Sequence, residues 1–189
     1  MHSSGALPES KRISDMCSPG DTCLSFLTRA GCDPGVIAHC LAVRDVAVRI
    51  ASELSGAGTR VDINLVASGA VLHDIGRSRS HGMDHADIGS EICRSLGLDE
   101  PVCRIVERHI GAGLSAEERR SMGLSAVDRI PETIEEKIVA HADNLVKGTR
   151  EITEDELISS LDRFPAPVRD RFLALIRELQ QPAVSHAEN

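Results

Sequence analysis

The sequence predicts an all-α protein, a helical bundle whose interior holds polar groups as well as apolar ones. Three observations lead there. Apolar residues recur at three- and four-residue spacing along most of the chain. Helix-start and helix-stop residues bracket those stretches. Aromatics make up only 2% of the 189 residues, with no Trp and no Tyr, so Val, Ile, Leu and Ala must fill the core. Strands favour aromatic and β-branched residues, and no window shows an alternation that a helix does not explain better.

Residues 1–20 are polar, with Ser, Pro and Gly scattered through them, and are expected to form a flexible tail; Met16 is an alternative start. Asp21 is placed to cap a short helix reaching residue 28, stopped by Gly31. Asp33-Pro34 starts the clearest helix, over 34–54, with proline at its first position. Its apolar stripe is Val36, Cys40, Val43, Ala47, Ile50 and Leu54. Asp62 caps the next helix, which begins at 63, ends between 72 and 75, and is closed by Gly76. A polar loop over 77–83 leads to a helix over 84–96, stopped by Gly97. Asp99-Glu100-Pro101 opens another helix, to about residue 110. Ser115 and Glu118 have capping-box spacing for a brief helix. Thr133, with Glu136 as box partner, caps a helix to residue 146 that Gly148 stops. Two more helices follow, about 154–161 and 167–179. The expected organisation is one domain over 21–181, with a core over 34–147, C-terminal helices over 154–180, and a loose end over 182–189.

The formal net charge is −8, with no block of Lys or Arg and no aromatic platform for stacking bases. Long nucleic acid is therefore disfavoured as a partner, because Lys and Arg neutralising phosphates supply most of that affinity. A small anionic substrate stays compatible, since a bound cation can dominate the local field. None of the six cysteines, Cys17, Cys23, Cys32, Cys40, Cys93 and Cys103, belongs to a C-x-x-C pair, which argues against a zinc ribbon or a thioredoxin-like motif. The start lacks a signal-peptide apolar region, and no apolar run approaches the ~20 residues of a membrane helix. The expected setting is cytoplasmic, with no membrane and with reduced thiols.

Several polar residues stand where the helical pattern demands apolar ones. His39 precedes Val43 by four, His73 follows Ala70 by three, and His85 precedes Ile88 by three. His109 follows Val106 by three and Ile105 by four, and Asp143 follows Val139 by four. Residues three and four apart share a helix face, so each of these groups points inward. One inward His is ordinarily a hydrogen-bonded core residue. Five helices each offering an inward His or Asp is a different matter, because a divalent cation would satisfy them all at once. His73 and Asp74 are adjacent and point about 100° apart on a helix, so both can meet one ion only near a helix end, which Ile75-Gly76 supplies.

His73-Asp74-Ile75-Gly76 is an H-D-I-G sequence, and with it the chain resembles the HD superfamily of metal-dependent phosphohydrolases, in the HDIG subset. The resemblance spans His39 to Asp143: a first His, a His-Asp doublet and a distal Asp, with His85 and His109 matching the two extra histidines of two-metal members. It implies an all-helical HD-domain bundle with a metal site in its interior, hydrolysis of a phosphoester or phosphoanhydride, and a bridging role for Asp74. The H-C-L-A-V stretch near His39 and the E-K-I…A-D ending are similar to symmetrical diadenosine-tetraphosphate hydrolases. Cyclic-dinucleotide phosphodiesterases of the superfamily carry a second His after the one matching His109 and a Gly-Tyr-Pro signature; here Ile110 follows, and that signature is absent from the sequence.

The implied chemistry is attack by a metal-activated water on a small phosphorylated substrate of nucleotide type, with one or two divalent ions (Fe, Mn, Ni, Co or Zn). Asp74 is the expected catalytic residue, orienting the nucleophile. Arg77, Lys147 and Arg150 are candidate phosphate-binding residues, with solvated loop positions as the plain alternative. His81 is read as a loop residue or a partner behind the ligands, and His2, His141 and His186 as outside the site. An HD-type diiron oxygenase and a non-catalytic HD signalling module stand as alternatives to the hydrolase.

Overall fold

The computed structural model describes residues 21–180. The expectations for the two tails, Met16, Cys17, His2 and His186 lie outside the described residues, as does the capping role assigned to the Asp21 side chain. Helices follow one another as α1 (Asp21–Ala30), α2 (Pro34–Gly56), α3 (Ile63–Leu72), α4 (His85–Ser95), α5 (Glu100–Arg108), α6 (Ala116–Ser121) and α7 (Ile134–Asn144). A two-stranded ribbon, β1 (Val146–Lys147) and β2 (Arg150–Glu151), leads to α8 (Glu154–Ser160) and α9 (Ala166–Gln180). The all-α expectation holds among the described residues, apart from the ribbon and one isolated antiparallel bridge between Leu114 and Arg129.

The predicted signals account for most boundaries. The Asp62 carboxylate accepts from the Leu65 amide at the start of α3, and Ser115 and Glu118 form the full capping box of α6. Pro34 opens α2, and Gly97 turns the chain after α4 with φ +74°. None of the described helices is long and apolar enough to cross a membrane.

Four local expectations need correction. The predicted 77–83 loop begins as a 3-10 turn, Ile75–Ser78, because α3 stops at Leu72. Gly76 does not close a helix through a positive φ. It lets this turn press against α4: a Cβ there would lie 1.9 Å from the His85 carbonyl oxygen and 2.7 Å from the Gly89 nitrogen. The Glu136 carboxylate is not a box partner for Thr133, although Thr133 does cap α7 by accepting from the Glu136 amide. That carboxylate is claimed by Arg104, Arg108 and the Glu132 amide, charged and backbone donors that a local capping rule cannot see. Finally, α7 ends at Asn144 and Val146 starts the ribbon, which pairs Val146 with Glu151 and Lys147 with Arg150. Gly148, φ +64°, takes the first place of its two-residue turn, where glycine is favoured.

The bundle is organised around α2, which packs on α3 and α7, while α4 packs on α5 and α3 touches both α5 and α7. One apolar cluster joins α2, α3, α5, α7 and α9, among them Val43, Ala47, Val66, Ile105, Ile138 and Ile176. A second joins α1, α4 and the neighbouring ends of α2, α3 and α5, among them Leu27, Cys40, Leu72, Ile92 and Val106. Cys32, Cys40, Cys93 and Cys103 are buried thiols in this second cluster. Burial pushes the thiols of Cys32 and Cys103 up to about 11, with the neighbouring acids Asp74 and Glu100 adding to it. They behave as small apolar residues.

Candidate metal centre

The site grows from helix ends. Residues inside one helix diverge by about 100°, so the His73-Asp74 doublet can converge only if the helix breaks there. It does: His73 is the C-cap of α3, and Asp74 (φ −102°, ψ 15°) leaves the helical path to begin the 3-10 turn. His85 is the first residue of α4, and His109 caps the C-terminal end of α5. His39 lies within α2, and Asp143 in the last turn of α7.

All six predicted ligands meet. His39 Nε2 lies 3.0 Å from Asp143 Oδ1, and His73 Nε2 lies 3.5 Å from the same oxygen. Asp74 Oδ2 faces this group, 4.0 Å from His39 Nε2 and 3.8 Å from His73 Nε2. Asp74 Oδ1 faces the other way, 3.1 Å from His85 Nε2 and 3.5 Å from His109 Nε2. The two carboxylate oxygens thus look into two adjoining clusters. His73, Asp74, His85 and His109 are nearly inaccessible to solvent. The side chains of His39 and Asp143 keep 17% and 23% of their exposure, so the pair forms the open edge.

The imidazoles share one feature that decides their chemistry. Each places Nδ1 on a backbone carbonyl: His39 on Gly148 at 2.8 Å, His73 on Ala70 at 2.8 Å, His85 on Gly82 at 2.7 Å and His109 on Val106 at 2.7 Å. A carbonyl only accepts, so Nδ1 carries the hydrogen, and each neutral ring turns a bare Nε2 lone pair inward. His85 and His109 bring two such lone pairs within 3.1 Å. His73 Nε2 and Asp74 Oδ1 are buried and have no hydrogen-bond partner in the protein. Lone pairs and carboxylates gathered with Arg77 as the one cationic donor on Asp74 among the described residues call for further positive charge at their centre, and Nδ1 bonding to carbonyls is how metal-binding histidines are oriented. The donor set therefore fits a divalent cation of nitrogen and oxygen preference.

Without a cation, protons fill part of this demand. Burial opposes protonation of His73, but Cys40, Asp74 and Asp143 outweigh it and raise its pKa well above the ordinary value. Burial works against the Asp74 anion too, yet the His73 charge and contacts from His109 and His85 hold its carboxyl far below the usual range. Asp143 is held low against burial by His39 and His73. Burial keeps His109 below its ordinary value.

The predicted phosphate-binding residues fare differently. Arg77 is not a free loop arginine: its Nε donates to Asp74 Oδ2 at 2.6 Å, which ties down the carboxylate shared by the two clusters. Lys147 and Arg150 sit on the exposed ribbon, next to the Gly148 carbonyl that holds His39. Arg150 pairs with Glu156 at 3.3 Å and is not among the converging groups. His81 is exposed. His141 turns away from Asp143 toward Glu154, as its two-residue offset requires.

Sequence reasoning missed the shell behind the site. Glu107, Glu136 and Arg119 are almost fully buried. Glu136 gathers Arg104 and Arg108, Glu107 gathers Arg94 and Arg129, and Arg119 holds Asp87. Partners 13 to 32 residues apart leave no periodic mark. The carbonyls of Gly82 and Gly148 were equally invisible, because backbone atoms have no residue-type signature.

A family model described as the HD domain matches residues 36–148, the stretch that carries all six groups. The chain belongs to the HD-domain family. As an HD domain it is 48% identical over 132 residues to the uncharacterized protein MJ0778 of Methanocaldococcus jannaschii, covering 70% of this chain and 78% of that one. It is 44% identical over 138 residues to the tRNA (cytidine(56)-2′-O)-methyltransferase of Thermoplasma volcanium, covering 73% of this chain but only 39% of that protein. Its fold is that of the HD domain of the L. monocytogenes phosphodiesterase PgpH, with TM-score 0.53 at 17% identity over 86% of this chain and 100% of that one.

Proposed function

We propose that this HD domain is a metal-dependent phosphohydrolase that cleaves a phosphoester or phosphoanhydride of a small nucleotide-type substrate. The observation that carries the reading is the convergence of four inward Nε2 atoms and two carboxylates, each ring locked by its Nδ1. His39, His73, Asp143 and Asp74 Oδ2 would hold one cation; Asp74 Oδ1, His85 and His109 would hold a second. Bound there, divalent ions supply a water acidified toward neutrality and neutralise phosphoryl charge.

The chain's own residues do the rest. Asp74, anionic across the whole neutral range, spans both clusters, and Arg77 fixes its orientation. The carbonyls of Ala70, Gly82, Val106 and Gly148 keep the rings from turning. With His73, His85 and His109 buried, the edge formed by His39 and Asp143 is the exposed approach for a substrate. There the ribbon carries Lys147 and Arg150, within a chain too acidic to attract long nucleic acid.

Two comparisons bear on the substrate. A second structure of the PgpH HD domain, with TM-score 0.52, is a complex with cyclic-di-AMP, a small nucleotide with phosphodiester bonds. The relative named as a tRNA methyltransferase favours a second reading, in which the phosphoester derives from RNA and the site takes a terminal phosphate or a few nucleotides.

The test is phosphate release and product chromatography after loading the protein with Fe, Mn, Ni, Co or Zn. The panel spans nucleoside monophosphates, diadenosine tetraphosphate, cyclic dinucleotides, 2′,3′-cyclic nucleotides and short RNAs. Turnover of at least one, lost in Asp74→Asn, is expected. Turnover that persists unchanged in Asp74→Asn, or none with any metal, would remove the reading.

A further inference from the structure

We infer that Arg129 is a positioning residue for the second cation, setting the distance between His85 and His109 from behind. Asp87 stands two residues after His85 on α4, and Glu107 two residues before His109 at the end of α5. Two residues turn a helix by about 200°, so on each helix the histidine faces the centre and the acid faces away. Arg129, in the loop between α6 and α7, reaches both acids: its terminal nitrogen lies 3.1 Å from Glu107 Oε1, and its Nε lies 3.6 Å from Asp87 Oδ1.

The far side of each acid is anchored as well. Arg119, buried to 1% exposure, holds Asp87 Oδ2 at 2.7 Å, and Arg94 of α4 holds Glu107 Oε2 at 3.0 Å. Both acids therefore have one oxygen committed elsewhere and one turned to Arg129; Glu107 shares that oxygen, Oε1, with Arg108 Nε at 3.9 Å. Arg129 Nε and Asp87 Oδ1 have no hydrogen-bond partner of their own, which leaves each as the other's counterpart. The guanidinium fork ties α4 to α5 directly behind the two imidazoles, whose Nε2 atoms sit 3.1 Å apart. The ion pairs of Arg129 reach neither α2, α3 nor α7, the elements of His39, His73 and Asp143.

This inference rests on the two-cation reading of the centre, and it separates the two clusters. Removing Arg129 relaxes the His85–His109 pair and leaves the other cluster in place. The experiment titrates metal-free protein with Co(II), followed by calorimetry and by the visible absorption of the ion. Wild type is expected to take up two equivalents, and His85→Ala, as reference, one. Arg129→Met is expected to bind the second equivalent about tenfold more weakly, the lower end of the cost of losing a group bonded to a ligand, because Arg129 acts through Asp87 and Glu107 and touches neither ring, with the first changed by less than about threefold. Arg129→Lys reaches only one of the two acids as a point charge and should restore part of the loss. Arg171→Met, which cuts an ion pair between α9 and Glu118, should leave both equivalents unchanged.

Circular dichroism establishes that each variant folds; Arg129→Gln replaces Arg129→Met if the latter does not. Equal weakening of both equivalents, or wild-type binding of the second, overturns the role of Arg129 alone. Wild type taking up fewer than two equivalents instead overturns the two-cation reading, and the inference with it.

Discussion

His85 and His109 point their Nε2 atoms at one another across 3.1 Å, while each gives its Nδ1 hydrogen to a carbonyl one turn away in its own segment. Neither ring, when neutral, has a proton to offer the other, so the pair is stable only with positive charge beside it. Removing either ring should empty that half of the centre. His109→Ala is expected to lose one of two metal equivalents, measured by elemental analysis after gel filtration; full retention would count against this geometry.

Gly76 is where the doublet and α4 meet. A methyl group there would lie 1.9 Å from the His85 carbonyl oxygen, a backbone atom that cannot step aside without moving α4. Gly76→Ala should cost roughly 1–3 kcal/mol or more, as overpacking does, and should weaken metal binding by displacing His85 from Asp74. Gly35→Ala is the control: nothing lies within 4 Å of its added carbon. Early in α2 it should be neutral or stabilising by up to about 1 kcal/mol. Urea melts of both variants, with a metal titration, check the pair.

The pH dependence of the metal-free protein has a defined sign. The folded-state pKa of His73 lies above its ordinary 6.5, with burial overcome by Cys40 and the two carboxylates. Its contribution to stability is therefore full below that ordinary value and is lost as pH rises through the folded one. Asp74 and Asp143 are shifted down, so theirs is present above 3.8 and is lost as pH falls toward their folded values. His109, held below 6.5 by burial, adds stability as pH rises to that value, so the metal-free protein should be most stable close to it, with stability declining on the alkaline side as His73 loses its proton. Metal and proton compete for His73, so metal affinity should rise with pH over the same alkaline window. Thermal melts from pH 4 to 10, with and without metal, test both slopes; a metal-free protein that gains stability above neutral pH would contradict this assignment.

Arg77 bonds Asp74 through Nε at 2.6 Å, which constrains the carboxylate that faces both clusters. Arg77→Met should lower kcat by about tenfold or more, since the oriented carboxylate is what the arginine maintains. Arg77→Lys should recover little, because an ammonium does not reproduce the geometry of the guanidinium. Steady-state kinetics on any substrate turned over by the loaded protein decides this, and an unchanged kcat in both variants refutes it.

Glu136 is buried to 2% exposure and accepts from Arg104, Arg108 and the Glu132 amide. Glu136→Ala leaves two guanidinium groups without their inner partner, a loss of about 3 kcal/mol or more when the pair is desolvated. Arg104 keeps a third of its exposure, which places the effect at the lower end. Equilibrium denaturation should show it as an earlier midpoint.

The helices and the candidate ligands were legible for a local reason. Helical periodicity and caps act within four residues, so Pro34, Asp62, Ser115 and Thr133 mark their helices, and each inward His or Asp shows as a polar residue on an apolar stripe. The ribbon at 146–151 was not legible, because two residues per strand are too few to show an alternation. Glu136 has capping-box spacing after Thr133, yet two arginines on α5 outcompete the local partner.

By itself, then, the order of residues determined which groups turn inward and in what order along the chain, because both depend on neighbours within a turn of helix. Only the tertiary structure decided that Asp74 divides its oxygens between two clusters, that four carbonyls set the imidazole orientations, and that Arg129 joins Asp87 of α4 to Glu107 of α5. Those relations join segments tens of residues apart, where distance and angle come from packing and no local pattern records them.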